Sequence, residues 1–196
     1  MKKLFIPILI VLALVVVFAI GAVLWGVGIY NGFVGMDETV QSAWSQVEVQ
    51  YQRRADLVPQ LVSTVEGAAD FESSTLQDVT EARTNWLNSG DGTIEEQMDA
   101  ANGFDSALSR LLVTVESYPA LSATENFLTL QAELEGTENR VAVARFDYNN
   151  EAQGFNTAIK KVPAMLIANL FGFDAYPYFE SDEGSEEAPT VEFDFE

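Results

Sequence analysis

The chain has 196 residues with 30 Asp and Glu against 10 Lys and Arg, a net charge of −20, no His and no Cys. A balance this acidic argues against holding nucleic acid or an anionic lipid face by charge. The missing Cys rules out disulfides, thiolate chemistry and a lipidated cysteine, and the missing His removes the commonest general base and metal ligand.

Residues 1–3 are a short N-terminus, and Leu4 to Tyr30 then run about 27 residues without a charge, where about 20 apolar residues as a helix cross a bilayer. A cleaved signal peptide is the alternative, but its apolar core is only about 7 to 15 residues, and here the run continues through Val23, Leu24, Trp25 and Val27. Lys2 and Lys3 precede the span and Asp37 is the first charge after it, so the positive-inside bias places the N-terminus in the cytoplasm and the C-terminus outside. Pro7 sits in the first turn, where its missing N–H costs little. Trp25 and Tyr30 stand where the outer interfacial belt is expected. Gly28 and Gly32 form a small-xxx-small pair that suits close packing of two anchors. The lipid bilayer is thus the first partner the sequence implies.

Residues 31–163 read as one helical domain. Val40, Trp44, Val47, Tyr51, Arg54, Val58, Leu61 and Val65 step by four and three, the spacing of a coiled-coil seam, and Arg54 alone breaks the apolar row. Pro59 in the same helix frees the carbonyl of Ala55 and predicts a kink. Ser74-Thr75-Leu76-Gln77 reads as a capping box for a stretch bearing Leu76, Val79, Arg83 and Trp86, either a separate helix or a continuation through Gly67. It ends near Asn88-Ser89-Gly90-Asp91-Gly92, a turn and helix cap in preference to a calcium loop.

Thr93-Ile94-Glu95-Glu96 opens the next helix, with Ile94, Met98, Ala101, Phe104, Leu108, Leu111, Leu112 and Val115 on its apolar face, and Tyr118-Pro119 stops it. Ser122-Ala123-Thr124-Glu125 is read as a third box. It starts the longest stretch, through Phe127, Leu130, Leu134, Thr137, Val141, Ala144, Tyr148, Phe155 and Ile159, which closes before Pro163. The fold class is all-α: an antiparallel up-and-down bundle of about four helices preceded by one transmembrane helix. With the first helix leaving the membrane and the last returning, a 1.5 Å rise puts residues about 24 after Tyr30 level with those about 24 before Val162. Arg54 therefore faces Glu138 as a polar centre, either a buried ion pair that sets helix register or a ligand site.

Residues 164–179 are too short to span a bilayer and too apolar for a free linker, which gives them either an interfacial position, with Phe171 and Phe173 at the interface and Tyr176, Tyr178 and Phe179 among the headgroups, or a seat against the base of the bundle. In 180–196 an acidic spacer leads to Val191-Glu192-Phe193-Asp194-Phe195-Glu196, whose alternation is that of a short strand with Val191, Phe193 and Phe195 as its contact face.

In order along the chain, Tyr30-Asn31, then Ala43-Trp44-Ser45-Gln46-Val47-Glu48-Val49-Gln50-Tyr51-Gln52-Arg53-Arg54-Ala55-Asp56-Leu57-Val58-Pro59, then Val79-Thr80-Glu81-Ala82-Arg83, then Glu133 to Arg145 and Phe171-Gly172-Phe173 resemble the pattern of the LemA family. The resemblance covers nearly the whole chain. It implies an N-terminally anchored helical bundle outside the cytoplasm of a bacterial membrane, with no agreed biochemical activity; one branch is associated with building magnetosome membranes. Gln60 stands where many members have Asn, and the tail is more acidic than usual.

The combined expectation is a single-pass protein of the bacterial cytoplasmic membrane whose bundle serves as an interaction or assembly module, as a homo-oligomer or with an envelope protein, without nucleic acid, metal or cofactor. The competing readings are a receptor with a ligand site between helices and a carboxylate-based hydrolase; the acids fall mostly on polar helix faces, so no enzymatic activity is expected.

Overall fold

A computed structural model describes residues 2–67 and 73–180, with side chains from Ile8 onward. The acidic spacer after Glu180 and the contact residues Val191, Phe193 and Phe195 lie outside the described residues. Six helices follow in order: α1 (Lys2–Glu66), α2 (Ser73–Asn88), α3 (Ile94–Glu116), the single turn α4 (Pro119–Ser122), α5 (Glu125–Lys160) and α6 (Met165–Phe171). No strand occurs among the described residues, and the class is all-α.

The anchor and the first bundle helix are one element. No glycine or proline between Tyr30 and Val58 interrupts the pattern strongly enough to end a helix, so α1 leaves the apolar span and continues directly into the seam. From Ile8 to Val27 its large apolar side chains are exposed, whereas from Phe33 onward the seam residues Val40, Trp44, Val47, Tyr51, Arg54, Val58, Leu61 and Val65 are all buried. The switch from uniformly apolar to one-sided burial marks where the helix passes from a lipid-suited surface to a protein-suited one.

The direction of each helix is legible in its cross-contacts. Trp86 and Arg83 of α2 lie on Tyr51 and Ala55 of α1, so α2 runs antiparallel to it. Gln97 and Asp105 of α3 meet Trp44 and Tyr51, so α3 runs upward again. Glu138 and Tyr148 of α5 meet Arg54 and Trp44, so α5 descends. The bundle is therefore up-down-up-down. α5 packs along α1, and α2 and α3 form a hairpin that docks on the pair through α2.

Two helix starts differ from the sequence reading. Ser74 lies inside α2, which already begins at Ser73. Ser122 closes α4 and Thr124 caps α5, accepting from the Phe127 N–H at 3.4 Å, because the turn at Pro119 uses up the residues upstream. The Thr93 box forms as read, with Thr93 Oγ1 accepting from Glu96 N–H and Glu96 Oε2 accepting from Thr93 N–H.

At Pro59 the helical assignment of α1 is uninterrupted. Proline leaves the carbonyl four residues earlier without its donor, and that carbonyl, on Ala55, accepts from Arg83 Nε of α2 at 2.7 Å. The orphaned acceptor thus becomes the anchoring point for α2. Arg83→Leu should destabilise the bundle by about 1–3 kcal/mol, the cost of an unsatisfied buried carbonyl. Adding Pro59→Ala should recover part of that loss, because an alanine at this position supplies the missing N–H. Urea unfolding of the single and double variants checks this, and a double variant no better than Arg83→Leu would refute the link.

Candidate functional site: the polar centre and its groove

Arg54 lies on the a/d seam, 1% exposed. A guanidinium cannot lose its charge at any accessible pH, so burial obliges it to find carboxylates. It donates through one terminal nitrogen to Asp105 Oδ1 of α3 and through the other to Glu138 Oε2 of α5. The Arg54–Glu138 register of the sequence reading is accordingly present in the structure, with Asp105 as an added member. Asp105 also accepts from Tyr51 Oη at 2.6 Å and from Arg145 at 2.5 Å. Arg145 donates to Tyr51 Oη as well. Both guanidiniums approach the Tyr51 ring, Arg54 at 5.5 Å and Arg145 at 5.3 Å from its centroid, in cation–π range. Two cations and two carboxylates balance, and the cluster ties α1, α3 and α5 together at one level.

The cluster forms the floor of a groove of about 850 Å³ between α3 and α5. The α2–α3 hairpin docks through α2, so α3 and α5 stand apart above the polar centre. Leu108, Leu112 and Phe127 contribute apolar walls, and Asn102, Gln131 and Asn139 polar ones. Arg54 Nε–H is buried without a hydrogen-bond partner beneath it.

A model of the LemA family matches residues 43–193, which contain every member of this cluster. The chain belongs to the LemA family. Magnetosome protein MamQ 2 of Paramagnetospirillum magneticum is 31% identical over 175 residues, covering 77% of this chain and 64% of its own length. Magnetosome protein MamQ of Magnetospirillum gryphiswaldense is 30% identical over 174 residues, with 76% and 64% covered. Protein LemA of Metamycoplasma hominis is 24% identical over 157 residues, with 80% and 71% covered. The match thus spans just under two thirds of the MamQ relatives. The apolar helix and these relatives fit a membrane-associated helical protein.

A second polar system holds the chain after α6 on the LemA bundle. Gly172 ends that helix in the left-handed region, φ 73°, and an extended strap from Phe173 to Glu180 follows. Two asparagines seven residues apart on α5 act as side-chain substitutes for a neighbouring strand. Asn156 donates to Tyr176 O and accepts from Tyr176 N–H, both at 2.8 Å, and Asn149 does the same with Phe179 at 2.9 and 3.0 Å. Tyr148 Oη donates to Pro177 O at 3.0 Å, and Tyr176 Oη donates to Asp37 Oδ1 at 2.7 Å. Phe179 stacks on Trp44 with ring centroids 5.8 Å apart and lies 4.5 Å beneath Arg145, joining the strap to the polar centre.

The other sequence-derived residues occupy separate places. Tyr30 meets Phe171 at 4.8 Å and Phe173 at 5.7 Å, and Phe173 also packs on Phe33 and Phe155, so Phe173 is turned towards the base of the bundle. Trp25 is half-exposed, and Gly28 and Gly32 face open space. Sequence reasoning missed Asp105 as a partner of Arg54 and Arg145 as a partner of Asp105: each follows a buried residue, Phe104 or Ala144, at the edge of an apolar face, where a charge ordinarily reads as solvated. It also missed Asn149 and Asn156, whose seven-residue spacing is the available signal.

Asp105→Asn should cost the LemA bundle about 3–5 kcal/mol, since it leaves two guanidiniums short of a carboxylate. Glu138→Gln should cost about 1 kcal/mol or less, because the Glu138 side chain is 63% exposed and its pairing is screened. Equal losses in denaturant midpoint would refute Asp105 as the hub.

Burial, reinforced by the hydrogen bond to Asp37, pushes the Tyr176 phenol up from 10.0 to about 12, and burial raises Tyr148 as well. A phenol whose folded pKa is raised stabilises fully below its unfolded pKa, and that contribution is lost as pH rises from about 10 through about 12. The melting midpoint should therefore fall across this window more steeply in the native chain than in Tyr176→Phe. Identical slopes would show that the strap phenol does not titrate with unfolding.

Proposed function

We propose that the chain is a single-pass protein of the bacterial cytoplasmic membrane, N-terminus inside, whose outer bundle works by association with a second copy or another envelope protein. The observation that carries the reading is the pairing in the polar centre: Arg54, Asp105, Glu138, Arg145 and Tyr51 bond to one another across three helices. Such a cluster sets helix register; it leaves the groove above it as a binding surface, without a group poised beside a nucleophile. The similarity to the magnetosome proteins MamQ over three quarters of this chain supports a place at a membrane.

A receptor for a small ligand is the second reading, favoured by the groove's volume and by the unpartnered Arg54 Nε–H at its floor. Full-length protein in mild detergent should sediment as an oligomer or with a co-purifying protein, and more strongly as salt screens the repulsion between acidic domains. Leu112→Arg, in the groove wall, should weaken that association, while Val113→Arg, on the exposed side of α3, should not. A monomer at every salt concentration, with no partner, would overturn the assembly reading; a saturable hydrolytic activity abolished by one carboxylate substitution would replace it with an enzyme.

A further inference from the structure

α6 lies beside the last turns of the apolar span. Ile167 Cδ1 comes within 3.6 Å of where a Cβ on Gly26 would stand, and Phe171 meets Tyr30. Four residues on each helix separate these contacts, so α6 runs alongside α1 at the level of Gly26 to Tyr30. The stretch from Leu4 to Tyr30 is about 40 Å long at 1.5 Å per residue, roughly 10 Å more than the hydrocarbon core of a bilayer. α6 stands beside that outer excess.

One side of α6 is packed: Ala168 is buried and Ile167 half-buried against the base of the bundle. The other is uncovered, with Leu166 and Leu170 exposed by 65% and 73%, while Phe171, on the flank that meets Tyr30, is still 57% exposed. Soluble surfaces rarely present such a cluster without a partner. It is continuous with the exposed apolar surface of the span itself, so whatever solvates the span reaches it.

The lysines point the same way. Every lysine of this acidic chain stands in one of two pairs, Lys2-Lys3 before the span and Lys160-Lys161 at the foot of α5. Phe155 meets Phe33 across the antiparallel helices; five residues further down, Lys160 is level with Gly28. Both Lys160 and Lys161 are exposed. The first pair precedes the span in the sequence, and the second stands at its outer end, where long cationic side chains reach lipid phosphates.

We propose that α6 is a lipid-binding element, inserted in the outer interfacial layer with Leu166, Leu170 and Phe171 against acyl chains and Lys160 and Lys161 at phosphate headgroups. The bundle is thereby held upright at two points, α1 and α6, in place of one. The inference rests on α1 spanning the bilayer, and its test separates the two.

The chain has no cysteine, so single-cysteine variants of the full-length protein take one environment-sensitive fluorophore each, in vesicles of phosphatidylcholine with and without phosphatidylglycerol. Val17→Cys reports the span, Leu170→Cys reports α6, and Val113→Cys reports the exposed face of α3. Lipids carrying a nitroxide high on the acyl chain should quench the Leu170 label several-fold more than the Val113 label, with iodide in water showing the reverse. Phosphatidylglycerol should deepen the Leu170 label, and Lys160→Gln with Lys161→Gln should abolish that shift. A Leu170 label as open to iodide as Val113, beside a lipid-quenched Val17, would overturn insertion while leaving the anchor intact. A Leu170 label shielded from both quenchers and sensitive to the protein-to-lipid ratio would overturn it in favour of a protein contact. A Val17 label that lipid quenchers do not reach would overturn the anchor reading itself.

Discussion

A guanidinium that stays charged and stays buried is the constraint around which the bundle is arranged. Arg54 occupies a seam position that packing would give to leucine, and its two terminal nitrogens demand two acceptors in fixed directions. Asp105 and Glu138 come from helices 51 and 84 residues away in sequence. Bringing them to one level sets the register of α3 and α5 on α1 together, because a slip of one turn would move a carboxylate about 5.4 Å and strand the cation. Arg145 then neutralises the second oxygen of Asp105, and the Tyr51 ring attracts both cations.

Other unsatisfied groups are resolved in the same manner, by a polar side chain from a neighbouring element. Pro59 leaves the Ala55 carbonyl open and Arg83 closes it. Trp44 donates to Gln97 Oε1 at 2.8 Å, while the amide nitrogen of Gln97 donates to the Gly92 carbonyl at 3.1 Å in the α2–α3 turn. The extended strap has no strand beside it, and Asn149 and Asn156 supply what a strand would. A long two-helix pair is otherwise free to slide along its apolar seam; these bonds each specify one position on it.

This organisation bears on function through what it leaves open. Docking the α2–α3 hairpin by way of α2 uncovers the α3–α5 groove directly above the polar centre, and the strap runs along α5 as far as Phe179, which packs under Arg145 of the groove lining. The α1 helix is continuous from the apolar span into the bundle, and Arg54 at the floor of the groove belongs to that same helix.

By itself the sequence determined the all-α class, the single apolar span, the buried seam of α1, the apolar face of α5 and the level at which Arg54 meets Glu138. All of these follow from periodicity and a fixed rise per residue, which act within one helix or between two antiparallel ones. Only the tertiary structure decided that Asp105 and Arg145 complete the polar centre, that Arg83 answers Pro59, that Thr124 and not Ser122 caps α5, and that Phe173 to Phe179 lie along α5 on two asparagines. Those outcomes depend on which face α3 presents to α1 and on where the returning chain finds donors and acceptors. A polar residue at the edge of an apolar stripe looks the same in sequence whether water or another helix satisfies it.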